Sequence, residues 1–285
     1  MERSPSRRVA SCKVRLRLDR VIDGHGRITA PGVDQISRAV HTVGQRLWKV
    51  PIRTFLPFAT SSVRDAANAA EVVDTVARRT GVMLRFLSGD HEAHLAYRAA
   101  RYLRGSTGPL AVLDVGGGTI EIAYGHGARP VFTSSLPLGA RTLARAGLND
   151  DSCLEEFRDL LHERITREVP PDILRQLADA PTVGCSKVFQ SLAKLTGTDT
   201  LRAADVTAWI PRLAALPPHR RAELPGISPH RAHQALAGAV AAEALMTATG
   251  HSTVDICPWS TREGVLLHLL DGTREPGPDH QHRQE

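Results

Sequence analysis

Leu110-Ala111-Val112-Leu113-Asp114-Val115-Gly116-Gly117-Gly118-Thr119-Ile120-Glu121-Ile122-Ala123-Tyr124 is the stretch from which the rest of this 285-residue chain can be read. The apolar run 110–115 has Gly108-Pro109 before it and three glycines after it, as a buried strand entering a tight loop would. Residues 119–124 alternate between polar and apolar side chains, which reads as a returning strand. The element is a hairpin with a glycine tip. Three missing Cβ atoms let backbone N–H groups come close to a ligand, and a concave row of N–H groups suits an anion. Asp114 enters the loop and Glu121 leaves it. Two carboxylates would repel an anion, so they make sense around a divalent cation or an oriented water. A plain hairpin whose glycines serve only the turn is the alternative. Asp-x-Gly-Gly-Gly-Thr-x-Glu between two apolar strands is more specific than a bare glycine run and favours a phosphate cradle.

The rest of the composition sets bounds. Hydrophobic residues make up 42% and charged residues 23%, an ordinary globular balance with room for two domains. No apolar run approaches the roughly 20 residues of a membrane span. Arg3, Arg7 and Arg8 are not followed by an apolar core, so no signal peptide is expected. Cys12, Cys153, Cys185 and Cys257 are widely spaced and read as reduced thiols in a cytoplasmic protein. The net charge of +6 is supplied almost entirely by arginine. It favours polyanionic partners, although a solvated arginine-rich surface would carry the same charge. Few aromatic residues are available to stack on bases, so no specific nucleic acid partner is expected, and no membrane partner.

Outward from the hairpin, the chain alternates strand and helix, which implies α/β architecture. Before it come expected strands at Lys13–Leu18, Ile52–Phe58 and Met83–Leu87, a helix over 31–47, and a helix opened by Ser88-Gly89-Asp90-His91-Glu92 and running to Leu103. The stretch 105–109 reads as a linker, giving an N-terminal domain over 11–106 and a C-terminal domain over 109–271. Residues 1–10 and 272–285 read as disordered. After the hairpin come a strand over 131–138, helices over 153–167 and 172–178, and a strand ending at Thr182-Val183-Gly184. Ser186-Lys187 opens a helix to Leu195. Further helices are expected over 204–214 and 229–249, then a strand over 253–257 and a last helix from Thr261.

Several motifs are chemically suggestive. Glu92, near a helix start, could take a proton from water or simply favour the helix dipole. Arg64 could clasp a phosphate with two N–H groups or be a surface arginine. Ser186 could cap its helix beside an anion, with Lys187 adding a point charge, or the turn could be a plain cap. Cys185, with no His or Asp partner in the sequence, reads as a small buried filler.

The glycine hairpin resembles a phosphate loop of the exopolyphosphatase and guanosine pentaphosphate phosphatase family, a branch of the actin-like superfamily. The resemblance extends through 58–64, Ser88-Gly89-Asp90-His91-Glu92-Ala93, Leu136-Pro137-Leu138-Gly139-Ala140, Gly184-Cys185-Ser186-Lys187 and Trp259-Ser260-Thr261-Arg262-Glu263-Gly264. It implies two actin-like domains facing a cleft and hydrolysis of a phosphoanhydride. Inorganic polyphosphate is the expected substrate and guanosine pentaphosphate the alternative. A binding protein for polyphosphate or guanosine tetraphosphate, without turnover, is the non-enzymatic alternative. The resemblance also implies Glu92 as catalytic base, Asp114 and Glu121 as catalytic residues around Mg²⁺, and a phosphate site of Arg64, Gly116, Gly117, Gly118, Thr119, Ser186 and Lys187. The chain departs from the family at Lys187, which replaces the second glycine of Gly-x-Ser-Gly-Thr, and above all at its start, where the family's opening Asp-x-Gly-Ser-Asn hairpin has no counterpart. The expectation is an N-terminal domain with an open sheet edge, prone to association such as a homodimer, and impaired activity.

Overall fold

The computed structural model describes residues 12–14, 16–47, 50–51 and 54–270. The chain divides into two compact units, 1–88 and 89–285.

The second unit is built on the glycine hairpin. It contains α4 (Gly89–Arg104), β3 (Pro109–Val115), β4 (Ile120–His126), β5 (Phe132–Leu136), α5 (Ala140–Arg145), α6 (Leu154–Glu168) and α7 (Pro171–Ala178). It continues through β6 (Thr182–Cys185), α8 (Ser186–Thr196), β7 (Thr200–Arg202), α9 (Ala203–Ala215), α10 (Pro218–Arg221), α11 (Ala235–Ala248), β8 (Thr253–Ile256) and α12 (Thr261–Leu270). These strands form one sheet in the order β5-β4-β3-β6-β8-β7; β3, β6 and β8 run parallel to one another, β4 is antiparallel to β3 and to β5, and β7 is antiparallel to β8.

Both faces of β3 are covered, so it reads as a continuous apolar run and not as an alternation. Ala111, Leu113 and Val115 pack into the larger core with Phe189 of α8 and Leu236, Val240 and Leu245 of α11. Leu110 and Val112 face Ala93, Ala96, Tyr97 and Ala100 of α4. Those four positions follow the i, i+3, i+4, i+7 spacing of one helix face. That burial is why the unit boundary lies at 88/89 and not in the expected linker at 105–109: α4 belongs to the sheet that follows it. Arg101 reinforces the join, donating to the Tyr97 hydroxyl and to the Ser106 and Gly125 carbonyls.

The first unit contains α1 (Ala30–Leu47), β1 (Phe58–Ala59), α2 (Ser61–Arg64), α3 (Ala69–Thr80) and β2 (Arg85–Phe86). β1 and β2 pair in parallel over two residues each. The core is Leu18, Ile28, Ile36, Val63, Val72 and Val76. Asn68 stands in for a strand partner, accepting from Ile28 N at 2.8 Å and donating to Ile28 O at 3.0 Å.

Here the structure shortens the expected strands. Phe55, Leu56 and Met83 are exposed, and a strand without apolar cover or a paired neighbour gains little from extending. Residues 52 and 53 of that expected strand lie outside the described residues. At 13–18 no described residue is in a strand, and Leu18–Arg20 form a 3₁₀ turn. The expected disordered ends, 1–10 and 272–285, also lie outside the described residues. β7 and α10 were not anticipated; each is only three or four residues long.

Candidate active site at the glycine loop

The hairpin register sets Asp114 directly opposite Glu121. Both are buried, 7% and 6% exposed. The carbonyls of the loop turn toward the start of α5. Ala140 N donates to Gly116 O at 3.0 Å, Arg141 N to Gly117 O at 2.8 Å, and Gly139 N to Gly118 O at 3.1 Å. Thr142 adds its N–H to Gly117 O and its hydroxyl to Gly118 O. Within a planar trans peptide, C=O and the following N–H point in opposite directions. With three carbonyls committed to α5, the N–H groups of Gly117, Gly118 and Thr119 face the other way. No backbone carbonyl among the described residues accepts from Gly117 or Gly118. A row of N–H groups turned away from α5 is the arrangement a phosphate cradle requires, and the bonds to α5 are what orient it. Gly139 must be glycine here, because a Cβ would lie 2.5 Å from Gly118 C and Thr119 N.

Arg141 lies against the same loop and is absent from the residues expected from sequence. Its guanidinium lies 3.1–3.4 Å from where a Cβ on Gly117 would stand. An arginine one residue into a short helix carries no signal of its own; only the contact of α5 with the loop reveals it.

The carboxylates are held by hydroxyls. Asp114 accepts from Ser260 at 2.7 Å and from Ser186. Glu121 accepts from Ser135 at 3.2 Å and from Thr119. Burial pushes Asp114 up to about 6, against the pull of the two serines. Burial first, then the charge of Asp114, pushes Glu121 well above the usual carboxylate range; Glu92 contributes to the same rise. Glu92 is thus part of the acidic cluster. It sits in the first turn of α4, whose start is pressed against the site: a Cβ at Gly89 would lie 2.2 Å from Ser135.

Ser186 is the only described non-glycine residue with positive φ, at 77°. A non-glycine residue in that region costs on the order of 1–3 kcal/mol, and such strain gathers at functional sites. Its hydroxyl links Asp114 to the start of α8 and accepts from Val188 N at 3.3 Å. Ser260 plays the matching part at α12, where its N–H is capped by Glu263 at 3.1 Å. Lys187 is exposed and bonds Gln190. Partial burial and the neighbouring cations Arg231, Lys194 and Arg262 lower its pKa. Arg64 lies in the first unit, where it binds Asp65 at 2.8 Å and the Leu87 carbonyl at 2.6 Å.

Among the described residues no cluster of three or more His, Cys, Asp or Glu side chains could hold a metal ion. The donor set is the carboxylate pair. Two buried carboxylates with hydroxyl partners fit Mg²⁺, which is commonly held by one or two carboxylates with water and substrate phosphates completing the shell.

The family model for the Ppx/GppA phosphatase family matches residues 4–273. An uncharacterized Streptomyces coelicolor protein is 39% identical over 93% of this chain and 83% of its own. Exopolyphosphatase 1 of Mycobacterium tuberculosis is 36% identical over 92% of this chain and 80% of its own. Among solved structures, a Cytophaga hutchinsonii exopolyphosphatase superposes with a TM-score of 0.73 at 19% identity, covering 87% of this chain and 85% of that one. An Aquifex aeolicus Ppx/GppA family member gives 0.71 at 21% identity, covering 90% and 87%. The fold is the actin-like one of these enzymes. With the glycine cradle, the paired carboxylates and a match over nearly its whole length, this chain belongs to the Ppx/GppA phosphatase family.

Proposed function

We propose that the chain hydrolyses phosphoanhydrides, releasing terminal phosphate from inorganic polyphosphate. The observation that carries this is the loop whose carbonyls are tied back to α5, leaving the N–H groups of Gly117, Gly118 and Thr119 for phosphate oxygens beside two buried carboxylates. Those N–H groups and the Arg141 guanidinium would bind the terminal phosphate and take up the charge that develops on it. Glu92 would receive the proton of the attacking water from its place in the first turn of α4. Asp114 and Glu121 would hold Mg²⁺, which when bound neutralises phosphate charge and polarises the water. Ser186 and Lys187 would bind further phosphate oxygens at the α8 N-terminus.

Guanosine pentaphosphate is the second reading, and the name of the family is what supports it. Relatives that match over most of this chain carry the name exopolyphosphatase, so polyphosphate is ranked first. Phosphate release should be measured on short polyphosphate, long polyphosphate and guanosine pentaphosphate with Mg²⁺ present. Release from polyphosphate is the expected result. Folded protein that releases phosphate from none of the three would overturn the hydrolase reading, and binding without release would make the chain a polyphosphate-binding protein.

A further inference from the structure

Two cysteines that the hydrolase reading does not use lie side by side under the site. β6 and β8 pair in parallel with Val183 opposite Asp255 and Gly184 opposite Ile256. Cys257 N donates to Gly184 O at 3.0 Å. One further step along this register sets Cys185 beside Cys257, and paired residues on neighbouring strands point to the same face. Both thiols belong to one apolar cluster with Tyr97, Val112 and Val183, and each is within hydrogen-bonding reach of the other. Neighbouring strands lie about 4.8 Å apart, within the range of about 4.4–6.8 Å between Cα atoms that a disulfide accepts. Both cysteines are free in this structure, as are Cys12 and Cys153.

Their places in the chain make the pair consequential. Cys185 immediately precedes Ser186, and Cys257 stands three residues before Ser260. Those two serines are the hydroxyls that grip Asp114. We propose that Cys185 and Cys257 form a reversible disulfide that moves both turns holding Asp114, so that peroxide-class oxidants switch the site off. Cys257 is 3% exposed and Cys185 fully buried, so Cys257 meets the oxidant first. Its thiolate attacks one oxygen of hydrogen peroxide: an S–O bond forms, the O–O bond breaks, and the departing hydroxide takes up a proton as water. The Cys185 sulfur then attacks Cys257. The S–S bond forms, the S–O bond breaks, and the second hydroxide leaves with the Cys185 proton as water. Two thiols lose two electrons and peroxide becomes two waters. A thiol reductant reverses the step by exchange.

The test is made on the full chain treated with hydrogen peroxide and read first by mass spectrometry. The expected result is the loss of two hydrogen atoms and a cross-linked peptide pair containing Cys185 and Cys257, both reversed by dithiothreitol. Phosphate release from polyphosphate should be lost with the cross-link and return on reduction. Cys185→Ala and Cys257→Ser proteins, each checked for a reduced melting transition like that of the parent, should resist peroxide. Cys185 and Cys257 both left alkylatable, or each carrying added oxygen, would overturn the disulfide. A cross-linked protein with undiminished release would overturn its control of the site. Reduced protein that releases no phosphate would instead defeat the hydrolase reading, while peptide mapping and the melting shift on oxidation would still decide the disulfide.

Discussion

β3 in the second unit buries every residue from Leu110 to Val115, whereas β1 and β2 in the first unit are two residues long and flanked by exposed Phe55, Leu56 and Met83. The deep sheet can keep Asp114 and Glu121 out of water. In the shallow unit the charged pair Arg64–Asp65 stays partly exposed, at 17% and 48%. Burial of apolar strands and perturbation of ionisable groups are two results of one cause, the layering of α4 and α11 over both faces of β3. The buried carboxylate pair sits where the packing is thickest.

This contrast predicts separate unfolding of the two units. Leu113→Ala should cost about 2–5 kcal/mol, the range for a leucine truncated in a packed core, and should lower the more stable of two calorimetric transitions. Val76→Ala should cost roughly 2 kcal/mol and lower the other. A single transition moved equally by both changes would break the comparison.

Next in size is the effect of Asp114 itself. Holding this aspartate at about 6 in place of 3.8 costs its ionised form on the order of 3 kcal/mol. Because the folded pKa is raised, the stability is present below pH about 4 and is lost as pH rises to about 6. Asp114→Asn should therefore abolish phosphate release yet melt at a higher temperature than the parent at pH 7, with the gap closing near pH 4. Mg²⁺ added at pH 7 should narrow the same gap by stabilising the parent alone. A gap that does not change with pH would show that burial does not penalise the carboxylate.

Glu92→Gln should lower turnover by about 100-fold or more with the fold intact, as removal of a general base does. Steady-state phosphate release beside a circular-dichroism melt checks it, and unchanged turnover would remove Glu92 from the mechanism. The smallest effect is expected at Ser186. Ser186→Gly should relieve the positive φ and stabilise the second unit by about 1 kcal/mol, while weakening phosphate release because Asp114 loses one hydroxyl. A denaturant midpoint that falls would show that the Ser186–Asp114 hydrogen bond outweighs the strain.

The sequence by itself determined the hairpin, the places of Asp114 and Glu121 on either side of its loop, the strand-to-helix turn at Ser186 and the place of Glu92 in the first turn of α4. Each depends on neighbours within a few residues, where glycine freedom, apolar runs and alternation act directly. The tertiary structure alone decided which groups surround those residues. Ser260 reaches Asp114 across 146 positions, Ser135 meets Glu121 only because β5 lies beside β4, and Arg141 reaches the cradle only because α5 packs on the loop. The same holds for the unit boundary, set by the docking of α4 on β3, and for the short strands of the first unit, whose flanking residues Phe55, Leu56 and Met83 stay exposed. Local patterns propose an element, but burial and pairing with distant residues decide whether it forms and what it touches.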